Sequence, residues 1–151
     1  MDRVEKEAKR VKQLIVVAVM ISIFCLSSQT ATDSRALSNT VLNTLREWMH
    51  FFTSSMPFIS KLGKIYFILP FRKWAHFIIY LVLGFVSYWA LPRRWSVKKR
   101  MICVVSLCFA YAITDEIHQI FVPGRACQMR DVLIDTLGSC VGMGIGYFVK
   151  R

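Results

Sequence analysis

Long apolar runs leave this chain few ways to fold. Residues 74–91, 101–121 and 132–149 form three such runs, and a shorter one, 14–28, follows a charged N-terminal tail. Eighteen residues rise about 27 Å as a helix, close to the thickness of a hydrocarbon core. Backbone in lipid must satisfy its own hydrogen bonds, which restricts such segments to helices. The composition agrees, with 55% hydrophobic and 19% charged residues and a mean hydropathy of +0.45, too apolar for an ordinary soluble domain. The expectation is an all-α polytopic integral membrane protein, one domain over residues 1–151, with about four transmembrane helices.

The first run has a basic start and a short apolar centre, as a signal peptide has, but no Ala-x-Ala site follows it. Ser27-Ser28-Gln29 reads as a polar helix end, so the run is taken as a retained anchor. Residues 30–56 are too polar to span. Leu37, Val41, Leu45, Trp48, Met49 and Phe52 recur there at helical spacing, which predicts an amphipathic helix along the interface, capped by Asp33 or Ser34. Residues 58–71 form a further apolar patch, broken by Lys61, Gly63, Lys64 and Pro70, that is interfacial or re-entrant.

The net charge is +11. On a soluble chain that would suggest nucleic acid; here the cations flank apolar runs, so membrane lipids and not nucleic acid are the expected partners. Lys and Arg number five in the N-terminal tail, five in the 92–100 loop and two at the C-terminus, against two in the loop before the last run. The positive-inside rule then puts both termini in the cytoplasm, although Lys61, Lys64, Arg72 and Lys73 crowd the first loop. Cys25, Cys103, Cys108 and Cys140 lie within apolar runs and only Cys127 in a loop, with no Cys-x-x-Cys pair. A zinc site or disulfide framework is therefore not supported.

Ionisable residues in such runs are expensive and mark function. Asp115, Glu116, His118 and Gln119 end the third run, and Pro123-Gly124 turns onto Arg125. Lys73, His76 and Tyr80 stand at i, i+3 and i+7 on one face at the start of the second. Asp131 and Asp135 open the fourth, above a stripe of Gly138, Gly142 and Gly146 that lets another helix approach closely, within the chain or between copies. With the termini inside, all these polar residues fall in the outer half of the membrane. Asp115, Glu116 and Asp135 must be paired, protonated or hydrated, and Lys73 and Arg125 are the expected partners. Asp115 and Glu116 also stand where the helix macrodipole disfavours anions, whereas Asp131 stands where it favours them.

In that order, Lys73-x-x-His76-x-x-x-Tyr80, Asp115-Glu116-x-His118-Gln119-x-x-x-Pro123-Gly124-Arg125 and Asp131-x-x-x-Asp135-x-x-Gly138 closely resemble the VanZ-like family, over roughly residues 14–149. The Ser28-Gln29 end of the first run fits as well. The resemblance implies a small bacterial cell-envelope protein of unestablished activity, in a family named for a protein associated with resistance to teicoplanin. Asp135 departs from the family, which more often has Asn there.

Three functions are compatible with these residues. In the first, Lys73, Arg125 and Arg130 hold a phosphate or carboxylate of an envelope lipid, while Asp115, Glu116 and Gln119 contact its head group. In the second, Glu116 or Asp115 is a general base and His76 or His118 an acid in an enzyme acting on such a lipid. A divalent metal on Asp115, His118 and Asp135 is a variant, but the spacing matches no strong ligand pattern, so no metal site is expected and no cofactor is assigned. The third is a small transporter or proton-linked channel, which would need oligomers through the glycine face.

Overall fold

The computed structural model describes residues 3–53 and 71–151. These form five helices and no strand: α1 (Arg3–Ser27), α2 (Ala31–Thr53), α3 (Phe71–Ala90), α4 (Val97–Ile120) and α5 (Met129–Lys150). The expected interfacial or re-entrant patch at 58–71 falls almost entirely outside the described residues. By length and composition α1, α4 and α5 are each able to cross a membrane.

α1 starts well before the apolar run, because the tail of Arg, Lys, Glu and Ala is itself helix-forming and nothing breaks it. α2 is capped one turn earlier than its sequence suggests. Thr30, not Asp33 or Ser34, is the capping side chain: its Oγ1 takes a hydrogen bond from Asp33 N, the third amide of the helix, at 3.2 Å and donates to Asp33 Oδ2 at 2.6 Å. A short side chain in extended backbone competes best for the free amides, and Asp33 becomes its reciprocal partner. Ser96 caps α4 through Lys99 N at 3.3 Å.

α3 is the centre of the assembly. Tyr80, Leu83 and Tyr88 are wholly buried, and α5 runs parallel to α3 with the two backbones in contact. A Cβ on Gly138 would collide with the Phe77 carbonyl oxygen, one on Gly142 with that of Leu81, and one on Gly84 with that of Ser139. The glycine stripe thus makes its close approach within the chain.

α1 and α4 run opposite to α3 and α5. Ser27 and Asp115 therefore meet His76 and Asp135 at one end, while Lys12 and Lys150 both reach Trp89 at the other. Outward faces are apolar on all four helices, for example Ile21 on α1, Ile78 on α3, Ile117 on α4 and Leu137 on α5. Asp115, Glu116, Gln119 and Asp135 are buried instead. Apolar outside and polar within is the arrangement hydrocarbon solvent demands.

Candidate functional site

His76, Asp115 and Asp135 come from three different helices and offer ligand atoms that all lie within 4.8 Å of one another. His76 sits in the second turn of α3, and Asp135 in the second turn of α5. The parallel, glycine-mediated packing of those helices brings the two residues level. His76 Nδ1 lies 3.6 Å from Asp135 Oδ2 and 4.0 Å from Asp115 Oδ2.

Asp115 is held from two sides. Its Oδ2 accepts from Ser27 Oγ at 2.9 Å, on α1, and from Gln119 Nε2 at 3.0 Å, one turn along α4. Its Oδ1 is buried with no hydrogen-bond partner, as are both carboxylate oxygens of Asp135 and the Tyr80 hydroxyl. Asp135 is 0% exposed and Asp115 4%. Buried carboxylates so poorly partnered are costly unless something else neutralises them. Tyr80 lies one turn further along α3, where its phenol is within electrostatic reach of both carboxylates, and its ring lies 6.3 Å from that of Tyr111.

Three hydrogen bonds frame the cluster. Glu116 Oε2 accepts from Gln128 N at 2.7 Å at the start of α5. Lys73 Nζ donates to Asp131 Oδ1 at 2.7 Å and to Gln128 Oε1 at 3.4 Å. The expected pairing of Lys73 with Asp115 or Glu116 is therefore corrected: Asp131 takes Lys73, because α3 and α5 start together and their first turns face each other. Asp131 also stands in the first turn of α5, where an anion is favoured.

His118 lies outside the cluster. Its ring is 4.3 Å from that of Phe24, and its Nε2 is 3.0 Å from Ser28 Oγ, so it faces α1. His76 takes the place beside Asp115 and Asp135 that the sequence variant gave to His118. Arg125 follows Gly124, whose φ of 76° is a left-handed turn conformation. The Arg125 amide donates to Val122 O at 3.1 Å and the side chain is half-buried, while Arg130 is exposed.

Sequence reasoning missed Ser27 and Gln128 as members of the site. Ser27 was visible only as a polar helix end; its signal was being a hydroxyl on the last turn of an apolar run, at the depth where the acids lie. Gln128 contributes a backbone amide, for which side-chain identity carries no signal.

His76, Asp115 and Asp135 thus form a compact, largely buried cluster of titratable groups, the kind of arrangement that exchanges protons or binds cations. The family model described as VanZ/LLP1 matches residues 13–150. Among curated proteins and among solved structures, nothing matches.

Proposed function

The chain belongs to the VanZ/LLP1 family, and from that premise we propose that it is a four-span protein of the bacterial cell membrane that binds the polar head group of an anionic envelope lipid. Both termini are cytoplasmic in this reading, and the cluster faces outward. α3 is the fourth span, its sequence made less apolar by Lys73 and His76. α2 lies along the interface.

The observation that carries the reading is the convergence of His76, Asp115 and Asp135 from three helices inside a bundle whose outside is apolar. Groups so expensive to bury are retained for a task. Lys73, Arg125 and Asp131 supply the surrounding polar surface, in reach of a head group at the membrane boundary, with Gln119 behind them holding Asp115. A link to glycopeptide resistance would follow if the lipid is one on which wall synthesis depends.

The test is lipid carried through purification in mild detergent and identified by mass spectrometry. Arg125→Ala should lose an anionic lipid that the natural protein retains. Equal lipid in both would end the proposal. Topology has its own check: Cys127 is exposed and should react with an impermeant maleimide from outside, so labelling only after lysis would reverse the orientation.

One observation favours a second reading, acid–base catalysis on the lipid. His76 Nδ1 faces two carboxylates and has no hydrogen-bond partner, an arrangement suited to passing a proton. Lipid profiles of cells with and without the gene should then differ by a substrate and its product, and identical profiles would exclude it.

A further inference from the structure

We infer that His76, Asp115 and Asp135 bind a divalent transition-metal ion, of the zinc or manganese kind, inside the bundle. The ligand set is one imidazole nitrogen and two carboxylate oxygens. That mixture suits zinc or manganese better than magnesium or calcium, which prefer oxygen alone.

Geometry carries the inference. A metal with ligands at about 2.1 Å holds them about 3.4 Å apart in a tetrahedron. The His76 nitrogen already lies 3.6 Å and 4.0 Å from the two carboxylates, and the three ligand atoms fit within 4.8 Å. Three helices supply one ligand each, which leaves a fourth position for water or for an oxygen of a bound head group.

Charge and unmet bonding point the same way. Asp135 is 0% exposed, and neither of its oxygens has a hydrogen-bond partner; Asp115 Oδ1, His76 Nδ1 and the Tyr80 hydroxyl are in the same condition. Lys73, the cation on the same face of α3, is committed to Asp131 at 2.7 Å. Two carboxylates facing one imidazole carry a net negative charge even when the imidazole is protonated, and a dication balances them. Outside this group, Ser27 and Gln119 hold Asp115 by its Oδ2, the outer support that orients a metal-binding carboxylate. A metal would also explain how an acid-rich site receives an anion, since the ion and not a side chain would face the phosphate or carboxylate.

The inference concerns the same cluster as the lipid reading, but metal content is measured without lipid, so either can fail alone. The experiment uses the full chain purified in mild detergent without chelator, analysed by inductively coupled plasma mass spectrometry. It then titrates Zn2+ and Mn2+ into chelator-treated protein, followed by calorimetry. The expected result is close to one equivalent of metal in the natural protein, with affinity at least tenfold lower in both His76→Ala and Asp135→Asn. His118→Ala should bind as the natural protein does. Asp135→Asn preserves volume, so it decides the matter if His76→Ala does not fold. Absence of bound metal at micromolar concentrations overturns the inference. So does metal that Asp135→Asn retains unchanged, or binding of Mg2+ or Ca2+ alone.

Discussion

The two ends of the helix bundle both bury charge, and they handle it in opposite ways. At the end that holds the chain termini the charges are positive, and Lys150 and Lys12 are met by the protein itself, while Arg100 has a ring contact but no hydrogen-bond partner for its Nε and Nη1. Lys150 Nζ donates to the carbonyl oxygens of Trp89, at 2.9 Å, and of Leu91 and Tyr88. Arg100, 8% exposed, lies 4.6 Å from the centre of the Tyr88 ring, and Lys12 lies 4.7 Å from that of Trp89. Cations at the C-terminus of α3 also meet the negative end of its dipole. At the opposite end the buried charges are mostly acidic, and several of their oxygens face no donor. A structural charge is satisfied when the chain folds; a working one is kept partly unsatisfied for something that arrives later. The first description fits Lys150 and Lys12, and the second is the one expected of Asp115 and Asp135 if they form the proposed site.

The contrast can be broken by substitution, and the largest effect should belong to neither end. Gly142→Leu drives a side chain into the Leu81 carbonyl and separates α3 from α5, so both ends should be lost together. At least about 3 kcal/mol of destabilisation is expected, since the obstacle is backbone and overpacking of flexible cores already costs 1–3 kcal/mol. Loss of the cooperative thermal transition in detergent would register it, whereas a natural melting profile would show that the backbones are not in contact.

Lys150→Met should come next, at about 2 kcal/mol, because a charged donor leaves three carbonyl oxygens behind. Its metal content should be natural, which separates a structural end from a working one. The Lys73–Asp131 pair is a smaller case. Both side chains keep some exposure, 19% and 13%, so a double-mutant cycle with alanine should give a coupling of about 1 kcal/mol, read from thermal melts. Asp135→Asn, measured in chelator, should cost about nothing or slightly stabilise, because it removes a charge the fold does not satisfy. A loss above about 2 kcal/mol there would make the acid end structural as well and erase the distinction.

Much of this site was legible before any coordinates. Lys73, His76 and Tyr80 shared a face by helical spacing, and Asp115, Asp131 and Asp135 shared a depth by hydropathy; both properties are local and survive folding. What was not legible depended on how each helix is rotated about its axis. His118 stands three residues after Asp115, about 60° round the helix, and that angle is enough to turn it onto Phe24 and Ser28. Lys73 had several acids within plausible reach, and its choice of Asp131 followed from the parallel register of α3 and α5, which sequence spacing does not encode. Asp33 and Thr30 were separable only by where the backbone turns helical.

The same register bears on how the protein is made. α3 leaves the ribosome before α5, yet the face of α3 at Gly84 is closed by the Ser139 backbone of α5. Until then Lys73 and His76 have neither Asp131 nor Asp135 beside them. Packing of α3 is therefore expected to be completed only after α5 has been made. Truncation before α5 should leave α3 loosely packed and open to proteolysis.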